Sequence, residues 1–175
     1  MLDKNLVEKI IRISSLSAIA CYPHIGKGNK NLADKAATDE MRKNLNKLNI
    51  NGEIVIGEGE LDEAPMLYIG EKLGTGKGPS IDIAVDPVEG TNFVANNLPN
   101  AFSILAVCEK GNLFSAPDTY MEKIAIGQNL PNNLLDLDNS VEKNIKLLSE
   151  AKNKPIDKIT ACILKRDRHN SIINS

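Results

Sequence analysis

The sequence predicts an α/β protein. Two helix-period patterns open the chain, three short apolar runs of strand length occupy residues 54–108, and a capped helix with a further apolar run follows residue 140. The first helix is expected over residues 3–20, where Val7, Ile10, Ile11, Ile13 and Leu16 fall near helical spacing between Lys4, Glu8 and Arg12. A polar loop with two glycines, 26–30, separates it from a second helix. That helix is expected to start near Asn31 as N-cap, with Asp34 at the capping-box offset and Ala37, Met41, Leu45 and Leu48 as its apolar stripe.

Strands and turns are expected through the middle of the chain. Ile54–Ile56 is a β-branched run ended by Gly57, and Ile81–Val85 is another, closed by Asp86-Pro87 because proline cannot continue a ladder. Residues 101–108 read as a buried strand, with a hairpin turn at 109–112 leading into Leu113-Phe114. Residues 120–126 read as one more strand. The Asn-, Asp- and Pro-rich stretch 127–139 predicts a linker. Beyond it Ser140 caps a helix to about residue 151, 159–164 is a strand, and a last helix begins near Arg168-His169. Two domains are therefore expected, 1–130 and 131–175.

Composition narrows the function classes. In 175 residues, 42% are apolar and 25% charged, as in globular domains generally, while aromatics reach only 3%. Leu, Ile, Val and Ala must build the core. A net charge of −2 with no basic tract excludes the electrostatic footprint of a nucleic-acid binder. Cys21, Cys108 and Cys162 are far apart with no C-x-x-C, which predicts a reducing compartment rather than a disulfide framework. No run of 18 apolar residues predicts a membrane span, and the N-terminus lacks a signal-peptide core. A cytoplasmic protein is expected.

The chemistry lies in acidic turns at strand ends. These are Gly57-Glu58-Gly59-Glu60, Asp62-Glu63 and Asp86-Pro87-Val88-Glu89-Gly90-Thr91. In the last, a buried strand delivers Asp86, and Glu89 follows three residues later. Two carboxylates so close repel unless a cation lies between them. Gly90 permits close backbone approach, and a helix opening at Thr91 would offer free N–H groups to a phosphate. Oxygen-only donors beside an anion site suit Mg²⁺ or Mn²⁺ better than zinc. Each element also has an ordinary reading. The Asp86–Thr91 turn could be a solvated strand exit, the glutamates at 58 and 60 an exposed turn, Asp34 a capping residue, and Lys165–Arg168 a solvated loop. The succession of glycine-bearing acidic turns favours metal-assisted phosphate chemistry. His24 and His169 show no ligand spacing, and Tyr120 serves equally as core or as a phosphate-holding phenol.

At these residues the sequence resembles the class II fructose-1,6-bisphosphatases of the lithium-sensitive phosphatase superfamily. The shared text includes Lys30-Asn31, Ala33-Asp34, Ala36-Ala37, Met41-Arg42, VIGEGELDEAPMLYIGEK at 55–72, DIAVDPVEGT at 82–91 and APDTYMEK at 116–123. The resemblance implies a layered α/β/α/β/α fold, of which residues 1–130 would be the metal-binding phosphatase domain. Residues 131–175 would begin a second, sugar-phosphate-binding domain. It implies metal ligation by Asp34, Glu58, Asp86 and Glu89, and catalysis by Thr91 with Glu58 or Asp34. Substrate contacts would come from Glu89, Gly90, Thr91, Tyr120, Arg166, Asp167 and Arg168. The implied reaction is Mg²⁺- or Mn²⁺-dependent removal of the 1-phosphate of fructose 1,6-bisphosphate, in gluconeogenesis and glycerol metabolism. The expected partners are the sugar bisphosphate and further copies of the chain.

Family chains are about twice as long, so a further metal-binding glutamate and an Asp-Gly-Asp segment are expected beyond Ser175, with little activity from these residues alone. Asn29 stands where relatives often carry Asp, and Tyr22-Pro23-His24 replaces a more apolar stretch. Sedoheptulose 1,7-bisphosphate or inositol monophosphate hydrolysis, a non-catalytic metal-binding module and an inactive fragment are the alternatives. The absence of an EF-hand pattern argues against a calcium sensor.

Overall fold

The computed structural model describes residues 3–57, 67–114 and 121–175. The chain divides into two compact units, Met1–Ala116 and Pro117–Ser175. In the first unit, helix α1 (Lys4–Cys21) and helix α2 (Lys30–Leu45) precede strands β1 (Asn51–Ile56), β2 (Lys72–Leu73) and β3 (Ser80–Glu89). A short helix α3 (Thr91–Ala95) and strand β4 (Phe102–Glu109) complete it. Among the described residues the strands form one sheet in the order β2-β1-β3-β4, with β1 parallel to β3 and the outer pairs antiparallel. The expected α/β class is observed.

The alternation of β3 decides where the helices go. Ile81, Ile83 and Val85 share one face of the sheet and pack with Ile10 and Ile13 of α1 and Met41 and Leu45 of α2 in the main core. Leu105 and Val107 of β4, paired with Val85 and Ile83, extend that face. A one-residue slip of β3 would put acidic Asp82 and Asp86 against the helices, so burial fixes the register. At the opposite end of α1 the contact with α2 is made by small residues. Ser17 Oγ donates to the Ala37 carbonyl at 3.0 Å, and the Cys21 thiol to Ala33 O at 3.4 Å.

Several local expectations are corrected. Helix α2 is capped by Asn29, whose Oδ1 accepts from Leu32 N–H at 3.1 Å, and not by Asn31. Asp34 therefore sits within the helix and caps nothing. Pro87 does not end its strand. β3 runs to Glu89 through an irregularity between Asp86 and Glu89, where the ladder to β4 skips the position at which proline lacks an N–H. The turn after β4 forms, yet Leu113-Phe114 continues into no strand.

In the second unit, Ser140 caps helix α4 (Val141–Lys152) as expected, accepting from Lys143 N–H at 3.2 Å. Residues 121–126 and 159–164 belong to no strand. A ladder needs a paired neighbour, and neither run pairs with a described strand. A 3-10 turn, Asp167–His169, leads into helix α5 (Asn170–Asn174), near the expected start.

Candidate active site

The end of β3, the start of α3 and the first turns of α2 bring the predicted acids together. Asp86 and Glu89 flank the Pro87 bulge, close enough for the Glu89 carboxyl to act on that of Asp86. Burial first, then the neighbouring Glu89 carboxyl and its charge, push the Asp86 carboxyl up from its usual range to about 6. An N–H of Val88 opposes the rise, and the nearby charge of Asp34 adds to it. Asp34 is itself shifted up by burial. Asp86 thus feels the charges of both Glu89 and Asp34, although Asp34 lies 52 residues before it in sequence (86 minus 34).

Two oxygens in this cluster are left over. Asp34 Oδ1 and Asp86 Oδ1 are buried and accept no hydrogen bond from any described residue. A buried carboxylate oxygen without a donor is costly. A hard divalent cation satisfies such oxygens, and the donor set here is all oxygen, so these residues fit an Mg²⁺ or Mn²⁺ ion. Among the described residues, no three His, Cys, Asp or Glu side chains close into a complete metal centre. Glu58, the remaining expected ligand, lies outside the described residues, as do Glu60, Asp62 and Glu63.

The backbone around Thr91 is set by Gly90, which adopts φ +88° as the N-cap of α3. A Cβ there would be strained by that φ and would stand 3.0 Å from the Phe93 ring. The Gly90 carbonyl accepts from Phe93 N–H at 2.8 Å and Val94 N–H at 3.3 Å, so the earlier N–H groups of this turn have no acceptor inside the helix. The loop before α2 is stitched to the same helix, with Gly26 N–H donating to Val94 O at 2.9 Å and Gly28 N–H to Ala95 O at 2.8 Å. Val88 and Val94 bury against Cys21, Ala33 and Ala37 in a second small core. Asp34 and Thr91 are held by this shared packing.

Other expected residues fall elsewhere. Tyr120 lies outside the described residues. Arg166, Asp167 and Arg168 are exposed and belong to the second unit. Two groups escaped the sequence reading. Cys21 lies beside Asp34, and burial followed by the charge of Asp34 raises its thiol to about 11, so it stays protonated. Ser103, on β4 between the partners of Asp86 and Glu89, has a buried Oγ with no hydrogen-bond partner among the described residues. No local signal marks either, since both depend on chain segments distant in sequence.

Residues 4–175 match the model of the family described as bacterial fructose-1,6-bisphosphatase, glpX-encoded. The chain belongs to this family. It is 46% identical over 170 residues to the protein named fructose-1,6-bisphosphatase 1 class 2 of Escherichia coli K12, covering 97% of this chain and 50% of that one. It is also 46% identical over 172 residues to the D-fructose 1,6-bisphosphatase class 2/sedoheptulose 1,7-bisphosphatase of Synechococcus sp. CC9605, covering 98% of this chain and 51% of the relative. The chain thus spans about half the length of the curated relatives it matches. Among solved structures, an extragenic suppressor from Pyrococcus furiosus aligns with 61% of this chain and 41% of its own, at 21% identity and a TM-score of 0.42.

Proposed function

We propose that this fructose-1,6-bisphosphatase family member contributes the metal- and phosphate-binding half of a sugar bisphosphatase that hydrolyses the 1-phosphate of fructose 1,6-bisphosphate. The observation that carries the proposal is the pair of buried carboxylate oxygens, Asp34 Oδ1 and Asp86 Oδ1, that no described residue satisfies, with Glu89 beside Asp86. Asp34, Asp86 and Glu89, with Glu58, would hold the Mg²⁺ or Mn²⁺. When bound, the cation supplies positive charge to the phosphoryl oxygens and favours ionisation of the attacking water.

The chain's own residues do the remaining work. Gly90, lacking a side chain, lets a phosphate approach the backbone, and the free N–H groups at the start of α3 face developing negative charge. The Thr91 hydroxyl orients the attacking water in line with the leaving oxygen. Glu58 or Asp34 accepts its proton. Tyr120 and the loop of Arg166, Asp167 and Arg168 bind the sugar and its distal phosphate, where a guanidinium fork matches phosphate geometry. Residues 131–175 accordingly begin a sugar-phosphate-binding domain. The protein works in the cytoplasm as a homo-oligomer. Sedoheptulose 1,7-bisphosphate is the second substrate, favoured by the dual name of the Synechococcus relative.

The raised Asp86 pKa gives the cation a pH signature. A carboxyl whose folded pKa lies above its unfolded value contributes stability that is fully present below the unfolded pKa and lost as pH rises through the folded one, here about 6. Without a cation, the fold therefore loses this contribution between acid and neutral pH. A divalent ion competes with the proton and restores it. Adding Mn²⁺ should raise the melting temperature clearly at about pH 8 and hardly at all at about pH 5. Thermal melts at both pH values check this, and an equal shift at both contradicts the carboxylate assignment.

A further inference from the structure

The half-buried ion pair between Arg42 and Glu71 is not explained by core packing. Arg42 Nε lies 2.7 Å from Glu71 Oε1, and a terminal guanidinium nitrogen donates to Glu71 Oε2 at 3.1 Å. This is a bidentate fork. The Glu71 side chain is only 11% exposed and that of Arg42 26%, whereas each of the other ion pairs between described residues has at least one partner half or more exposed. Exposed pairs contribute little, while a buried, two-pronged pair fixes geometry.

What it fixes is specific. Arg42 lies eight residues after Asp34 on α2 (42 minus 34), a little over two turns further along the helix, with Thr38 between them. Glu71 is knitted into the sheet, since its carbonyl accepts from Ile54 N–H at 3.0 Å, and Gly70 N–H donates to Ile54 O at 2.7 Å. The following residues, Lys72 and Leu73, pair with Glu53 and Gly52 of β1, and β1 pairs with β3, the strand that ends at Asp86 and Glu89. At Gly57, where β1 gives way to the residues carrying Glu58, a Cβ would overlap the Leu67 carbonyl oxygen, and Leu67 is fully buried. The fork therefore ties the helix bearing Asp34 to the sheet bearing Asp86, away from the acids themselves.

We propose that Arg42 and Glu71 are a positioning pair that sets the spacing of Asp34 against Asp86 and Glu89, and so the affinity for the divalent cation. This rests on the metal reading above. Neither residue would touch the cation. Arg42→Lys keeps the charge and loses the planar fork. Glu71→Gln keeps the shape and loses the charge.

The test is titration of Mn²⁺ against the 175-residue chain, with free Mn²⁺ followed by electron paramagnetic resonance and melting temperature recorded without metal. Arg42→Lys and Glu71→Gln should each weaken Mn²⁺ binding by about tenfold, and the double variant by no more than the worse single one, as for residues acting as a unit. Asp86→Asn serves as the ligand control and should weaken binding further. Lowered metal-free melting with Mn²⁺ affinity within about twofold of wild type would make the pair merely structural and overturn the proposal. Equal affinity of wild type and Asp86→Asn would overturn the metal reading, and this inference with it.

Discussion

Replacing Asp86 with Ala should lower turnover of fructose 1,6-bisphosphate by roughly a thousandfold or more in an enzyme of full family length carrying this sequence, equivalent to at least about 4 kcal/mol of barrier. The size follows from the site. Asp86 contributes a buried oxygen that no described residue satisfies, and its carboxyl group feels the charges of Glu89 and Asp34. Its loss would remove a ligand and one negative charge. The folding cost should be small or even favourable, because deleting a carboxylate whose ionisation burial opposes relieves strain in the metal-free state. Activity and stability should therefore move apart. Steady-state kinetics with a parallel melt will show this, and activity within about tenfold of wild type would make the metal assignment wrong.

Replacing Thr91 with Val should reduce the turnover number by about a hundredfold to a thousandfold with the Michaelis constant within about threefold of wild type. Valine keeps the shape and removes only the hydroxyl. Thr91 is the first residue of α3, after a glycine in the left-handed region, so its backbone is fixed by Gly90 and should not move. A group that acts on the attacking water affects the transition state more than the bound substrate. Normal turnover with a raised Michaelis constant would make Thr91 a binding residue instead.

How much of this was legible in the sequence depended on the range of the interaction. Periodicity located α1 and α2 because an amphipathic face is a local property, and Ser140 announced α4 because a cap needs only its own first turn. The expectation of Asn31 as N-cap failed because any asparagine there can cap, and only the chain's entry to the helix, which selects Asn29, decides which one does. Pro87 misled for a related reason. Proline forbids a hydrogen bond, but a bulge can place it where none is required. The runs at 121–126 and 159–164 have strand composition but pair with no described strand, and pairing is a property of two segments.

The site divides in the same way. Asp86, Glu89, Gly90 and Thr91 fall within one six-residue stretch, so their turn could be read directly. Asp34 joined them only through resemblance, and the structure supplies the physical link through the loop hydrogen bonds from Gly26 and Gly28 to α3. Cys21, Ser103 and the Arg42–Glu71 fork carry no local signature. Each owes its place to the way α1, α2 and the sheet pack.

The most direct measurement is phosphate release by the full-length enzyme from fructose 1,6-bisphosphate, sedoheptulose 1,7-bisphosphate and inositol monophosphate, each with Mg²⁺ or Mn²⁺ and again after chelation. The account predicts one phosphate per fructose 1,6-bisphosphate, with fructose 6-phosphate as the other product and activity abolished by the chelator and restored by added metal. Turnover that survives chelation, or hydrolysis of inositol monophosphate in preference to the sugar bisphosphates, would contradict it.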